Sequence, residues 1–195
     1  MRSMTMGMLV IGSLLLLCAC SEADEIINPE PVTGKLVFVT SKTYTGELGG
    51  IAGADDKCQQ LASAAGLSGT YRAWLAAEDA APAGRFPLSP DPYLRVDGVR
   101  VADDWTDLTD GTVLAPIDRD ETGAHVEERV WTNVRPDGTH FDARQDCFEW
   151  TTDFLAATGA TGSCSATGGT WSLVISSGNW PRCSERKRLY CFEQF

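Results

Sequence analysis

GIAGADDKCQQLASAAGLSGTYRAWLA, residues 50–76, carries more local instruction than any other stretch of the chain. Ala54, Cys58, Leu61, Ala62 and Ala65 recur at helical spacing and form one apolar stripe; Asp55, Asp56, Lys57, Gln59, Gln60 and Ser63 fall on the wet side. The pattern predicts a short amphipathic helix. It places Asp55 and Asp56 in the first turn, where carboxylates complement free N–H groups, and Gly66 past the end as a left-handed cap. Thr70 to Leu75 then alternates, with Tyr71, Ala73 and Leu75 on one face and Arg72 and Trp74 on the other, as in a half-buried strand. Helix, glycine turn and strand form the nucleus of the fold.

Upstream of the nucleus, Lys35-Leu36-Val37-Phe38-Val39-Thr40-Ser41 is β-branched and aromatic, and reads as a first strand buried on both faces near its middle. Farther upstream, an apolar run from Met8 to Leu17 follows a single Arg2, too short to span a bilayer. Residues 1–19 therefore read as a secretion signal. Leu17-Cys18-Ala19-Cys20 resembles the bacterial lipoprotein box, with Cys20 as the lipid-attachment residue. Residues 20–34 carry this cysteine and an acidic, proline-containing tether that could reach about 45 Å when extended. The expected location is exported and membrane-anchored, at the outer membrane or cell surface. Residues 35–195 are the size of one domain.

Downstream, Pro82, Pro87, Pro90 and Pro92 interrupt regular structure, and Tyr93 to Val101 reads as a loop entering a short strand. Asp103, Asp104, Trp105, Asp107 and Asp110 form an acidic loop with a tryptophan anchor. Val130 to Asn133 reads as a strand ended by the Pro136-Asp137-Gly138 turn, and Cys147-Phe148-Glu149-Trp150 as a compact buried segment. Residues 159–169 are rich in Gly, Ser and Thr and read as loop. Residues 171–176 alternate weakly, and Arg188 to Glu193 makes a closing strand.

The formal net charge is −11. Nucleic acid is excluded as a natural partner and heparin is disfavoured, because both depend on clustered Lys and Arg that release counterions. The one basic cluster, Arg182, Arg186, Lys187 and Arg188, reads as a solvated strand face. Asp118 to Gly123 begins like a calcium-binding loop, but its twelfth position is Arg129 where a bidentate glutamate is required. Calcium is conceivable there or in the acidic loop, and no cofactor is expected. His125 and His140 stand outside any catalytic frame, and adjacent carboxylates on a strand point apart, so the chain does not read as an enzyme.

Apart from Cys18 and Cys20, five cysteines remain: Cys58, Cys147, Cys164, Cys183 and Cys191. Two bonds and one leftover thiol allow 15 arrangements, and spacing alone does not choose among them. The 50–76 segment, the Val130-Trp131 strand, the Asp137-Gly138 turn leading to Cys147, and the closing run from Arg182-Cys183 to Tyr190-Cys191-Phe192-Glu193 resemble the endostatin module of collagens. They are closer still to a bacterial family of unknown function found in surface lipoproteins. Both have the C-type lectin-like fold. The resemblance implies an α+β domain with a mixed or antiparallel sheet, a few short helices, long loops, and nested disulfides, Cys58 with Cys191 and Cys147 with Cys183, leaving Cys164 odd. It does not carry the calcium-lectin motif, since Asn179-Trp180-Pro181 precedes Cys183, nor the arginine face and histidines of endostatin.

What the resemblance implies is a non-enzymatic surface lipoprotein that binds a protein or glycan through its loops, residues 76–110 and 159–180. Trp105, Asp107, Asp110, Trp171 and Trp180 are the candidate contacts, although large aromatics in a domain of this size are more often core than surface anchors. The alternatives are an envelope protein without a specific ligand and, last, a hydrolase using acidic loop residues.

Overall fold

A computed structural model of the chain describes residues 33–175 and 178–194. The signal segment, Cys20 and the tether as far as residue 32 lie outside the described residues. The fold is α+β, with a mixed sheet, a few short helices and two disulfides.

The strands of the main sheet are β1 (Lys35–Val39), β2 (Tyr71–Ala73), β3 (Tyr93–Arg95), β4 (Arg100–Ala102) and β7 (Tyr190–Glu193), in the order β2-β7-β1-β3-β4. β1 runs antiparallel to β7, with Phe38 opposite Cys191, and parallel to β3, with Leu36 opposite Leu94. The first and last strands thus lie side by side. A second, two-stranded sheet pairs β5 (Arg129–Trp131) with β6 (Thr161–Ser163).

Helix α1 (Gly50–Ala64) buries Ala54, Cys58, Leu61 and Ala62 against the sheet face formed by Phe38, Tyr71, Ala73 and Cys191. The helix starts earlier than periodicity implies. Its N-cap is Gly49 in the left-handed region, so Asp55 and Asp56 fall in the second turn, out of reach of the free N–H groups. Ala65 is exposed, and Gly66 (φ +75°) closes the end, with the Leu67 N–H donating to Ala62 O at 2.9 Å.

The other face is also covered, which corrects the half-buried reading of residues 70–75. Trp74 is fully buried, with ring centroids 5.0 Å from Trp171 and 5.3 Å from Phe192, and its indole N–H donates to Ser172 Oγ at 2.7 Å. Phe86, Leu108 and partly buried Trp105 complete this cluster from the long loops. Two loop segments coil into short helices, α2 (Pro82–Arg85), with proline at its start, and α3 (Trp105–Leu108), capped by Asp104.

The basic cluster is not a solvated strand face. Strand β7 begins at Tyr190, Arg188 donates to the carbonyls of Thr40 and Ser41 at 2.7 and 2.6 Å, and Lys187 pairs with Glu185 at 2.7 Å. Residues 171–175 are likewise not strand: Gly169–Trp171 forms a 3-10 turn and the chain continues irregularly.

One disulfide joins Cys58 of α1 to Cys191 of β7, and the other joins Cys147 to Cys183. Cys164 is a buried free thiol. Its Sγ accepts from the Glu128 N–H (3.1 Å) and donates to Val126 O (3.2 Å), and burial raises the thiol pKa.

Candidate functional site

Residues 147–150 form one left-handed turn built without glycine. Cys147, Phe148, Glu149 and Trp150 have φ of 52°, 53°, 55° and 62°. An L-residue in this region loses about 1–2 kcal/mol to the approach of Cβ to the next carbonyl, and four in succession persist only where the surroundings impose the conformation.

The surroundings here do so at both ends. Cys147 is held by its disulfide, and its N–H donates to Thr158 O at 3.2 Å. Trp150 is fully buried against Trp131, donates its indole N–H to Ala76 O at 2.8 Å, and accepts the Leu48 N–H on its carbonyl at 2.9 Å. Asp146 bridges the turn, accepting the Glu149 N–H on Oδ1 at 3.1 Å. A Cβ on Gly46 or Gly159 would lie 2.4 or 2.9 Å from Cys147 Sγ, so both glycines are required for the backbone to approach the disulfide.

With Cys147 and Trp150 fixed inward, the turn directs Phe148 and Glu149 outward. Phe148 is 68% exposed, and Phe154 and Leu155 nearby are 61% and 59% exposed. Segment 147–150 is compact as the sequence reading had it, but only Cys147 and Trp150 are buried, while Phe148 and Glu149 are exposed.

Three recesses open on this face. One of about 300 Å³ is lined by Ala143, Arg144, Asp146, Phe148, Ala156, Ala157 and Thr158. A second of about 350 Å³ shares Ala143, Asp146 and Phe148 with it and adds Glu78 and Glu149. The third, about 480 Å³, shares Ala156 and Thr158 with the first and adds Leu155, Trp180 and Arg182. Carboxylates, guanidinium groups and the Thr158 hydroxyl therefore stand beside exposed aromatic and aliphatic carbon. That combination suits holding a polar ligand against a ring.

The charged groups differ in environment. Asp146 is only 2% exposed, and burial raises its carboxyl pKa, against the Glu149 N–H and His140, which favour the charged form. Arg144 pairs with Asp142 at 2.8 Å, and its hydrogen bonds hold the Asp142 carboxyl at about 2.

The residues proposed from sequence are dispersed. Trp171 is fully buried and has no surface to offer a ligand, which removes it as a contact. Trp105 is half-buried, its ring centroid 6.0 Å from Trp74. Asp107 accepts the Asp103 N–H at 2.7 Å, and Asp110 accepts the Thr112 N–H at 2.9 Å, so each organises its own loop. Only Trp180 reaches the recesses, its ring tilted at 45° to that of Phe141 with centroids 5.6 Å apart. Sequence reasoning missed Glu78, Asp146, Phe148 and Glu149 as site residues; an N-cap type residue directly before Cys147 is the one signal that could have marked the turn.

Elsewhere, Asp120 Oδ1 accepts three donors, from Thr122 N, Thr122 Oγ1 and Ala124 N, and Glu121 accepts from Ser41, so these carboxylates already serve their loop. Among the described residues, no three His, Cys, Asp or Glu side chains are grouped so as to hold a metal ion.

The chain matches no known protein-family model, and no curated protein matches it either.

Proposed function

We propose that the chain is an exported lipoprotein whose domain, of C-type lectin-like fold, binds a protein or glycan ligand without catalysing a reaction. The binding face is the one that surrounds Phe148. The fold reading is supported by the adjacency of β1 and β7, the tie from α1 to the last strand, and the long loops packed on the opposite sheet face. The binding reading is carried by one observation: a strained, glycine-free turn, clamped by a disulfide and a buried tryptophan, holds an exposed phenylalanine at the junction of two recesses. Neither the strain nor the exposure serves stability, and both are typical of surfaces kept for recognition.

The recesses draw on both loops expected from sequence, Glu78 from residues 76–110 and Trp180 from residues 159–180, and add the 141–158 segment between them. Fluorescently labelled full chain applied to immobilised glycans and extracellular matrix proteins tests the reading. Binding that is retained by Trp105→Phe and lost on combined Phe148→Ser, Phe154→Ser and Leu155→Ser substitution supports it. Binding unaffected by the triple substitution, or none at all, returns the chain to a structural envelope role.

A further inference from the structure

The third recess, of about 480 Å³, differs in charge from the rest of this face. Trp180, Arg182, Asn179 and Thr158 line it with Leu155 and Ala156, and no Asp or Glu stands among its described lining residues, in a chain whose formal net charge is −11. Arg182 is the informative member. Of the other cations in its cluster, Lys187 is paired with Glu185, Arg188 with Glu128, and Arg186 donates to Thr43 Oγ1 at 3.1 Å. The exposed Arg182 guanidinium has no carboxylate within ion-pairing distance among the described residues; its side-chain hydrogen bond there runs from Nη1 to Leu155 O at 3.3 Å.

The recess is built on braced backbone. The Cys183 N–H donates to Ala157 O at 2.9 Å and the Gly159 N–H to Pro181 O at 3.0 Å, and the Cys147–Cys183 disulfide ties this wall to the Phe148 turn. Pro181 fixes its own φ and biases Trp180 before it to extended backbone. The Trp180 ring lies against Phe141, and Thr158 Oγ1 donates to Gln145 Oε1 at 2.8 Å, which leaves its lone pairs to a ligand.

We propose that this recess takes an acidic saccharide, with a sugar carboxylate on the Arg182 guanidinium, the sugar ring against Trp180, and hydroxyls on the Asn179 amide and Thr158 Oγ1. The inference rests on the reading of this face as a binding surface and chooses between the two ligand classes left open there. A guanidinium offers a carboxylate two parallel N–H donors, and an aromatic wall beside a few polar groups holds a ring in one orientation. A single unpaired cation matches isolated carboxylates; a dense polyanion such as heparin draws on clustered Lys and Arg.

Calorimetric titration of the full chain with oligosaccharides of galacturonate, mannuronate and sialic acid, each beside its methyl ester, tests the proposal. At least one acid is expected to bind, and its ester, which keeps the hydroxyls and loses the charge, to bind at least about tenfold more weakly. Arg182→Gln, whose backbone N–H still donates to Glu185 Oε1 (2.9 Å), should lower affinity for the acid at least about tenfold with an unchanged melting temperature. Arg186→Gln removes the same charge outside the recess and should bind as the parent does. Trp180→Ala should also weaken the acid. Equal binding of acid and ester, no loss at Arg182, or equal losses at Arg182 and Arg186 overturns the assignment. A Gly-Phe-Gly peptide that outbinds every saccharide and loses affinity on amidation overturns it too, in favour of a peptide carboxylate. If no acid binds while the Phe148, Phe154 and Leu155 substitutions still abolish macromolecular binding, the saccharide assignment falls and the binding face stands. If both fail, both readings fall.

Discussion

Arg85 Nη2 lies 2.7 and 2.6 Å from the two carboxylate oxygens of Asp55, and Asp55 Oδ1 also accepts the Ala73 N–H at 2.9 Å. Because Arg85 Nη1 donates to Leu75 O at 3.1 Å as well, this pair ties α1 to the end of β2 and to α2. Both side chains are largely buried, so removing the carboxylate leaves a guanidinium and a backbone N–H without their acceptor. Asp55→Ala is expected to lower unfolding free energy by about 3 kcal/mol, a value set by the loss of one partner of a largely buried pair. Asp56→Ala, on the exposed neighbour, should stay within about 0.5 kcal/mol. Urea unfolding of the two variants checks the contrast.

Asp55 also shows where the sequence was legible. Helical periodicity placed α1 and its buried Ala54, Cys58, Leu61 and Ala62, and alternation placed β2 and its buried Tyr71 and Ala73, because both signals are local. Periodicity could not reveal that Asp55 turns inward to meet Arg85, thirty residues away in sequence. It also could not show that Trp74 meets a second core built from loops, or that β3 joins β1 in parallel. Cysteine spacing left 15 pairings open. The candidate site was least legible of all, since left-handed φ at Cys147 to Trp150 arises from a disulfide, a buried indole and a side-chain cap acting together, and none of these is a property of the four residues themselves.

The left-handed turn reverses the usual effect of glycine. Glu149 is exposed at φ 55°, so Glu149→Gly removes the Cβ penalty and is expected to stabilise the protein by about 1 kcal/mol. Ala52→Gly, at an exposed position inside α1, should instead cost about 1 kcal/mol. Opposite shifts in melting temperature for the two glycines are the expected outcome. A loss at both positions would show that the turn is not left-handed.

The two disulfides separate stability from binding. Cys58 and Cys191 are 133 residues apart and Cys147 and Cys183 are 36 apart, so in the chain-entropy model the first contributes about 5 kcal/mol and the second about 4 kcal/mol. Replacing Cys58 and Cys191 by alanine should therefore cost more stability, whereas replacing Cys147 and Cys183 should cost more affinity, because it releases one end of the Phe148 turn. A non-reducing peptide map is expected to show these two crosslinks and an unmodified Cys164. Since burial raises the Cys164 thiol pKa, iodoacetamide at pH 8 should leave it intact in the folded chain and label it in urea.

Asp146 and Asp142 should give opposite pH signatures. Hydrogen bonds from Arg144 lower the Asp142 carboxyl to about 2, below its value in the unfolded chain. Its contribution is therefore fully present above the usual carboxylate range of about 4 and is lost as pH falls toward 2, so Asp142→Asn should lose stability at neutral pH and approach the parent in acid. Burial raises the Asp146 carboxyl, so the folded state holds that proton more tightly than the unfolded state. Stability from this group is then present in acid and lost as pH climbs from the ordinary carboxylate range through the raised folded value. Asp146→Asn keeps the acceptor for the Glu149 N–H and removes the charge, so its melting temperature should match the parent near pH 3 and exceed it at pH 7. A residue whose ionised form opposes folding at neutral pH, in a cavity beside an exposed ring, is explained more readily by what it binds than by what it stabilises.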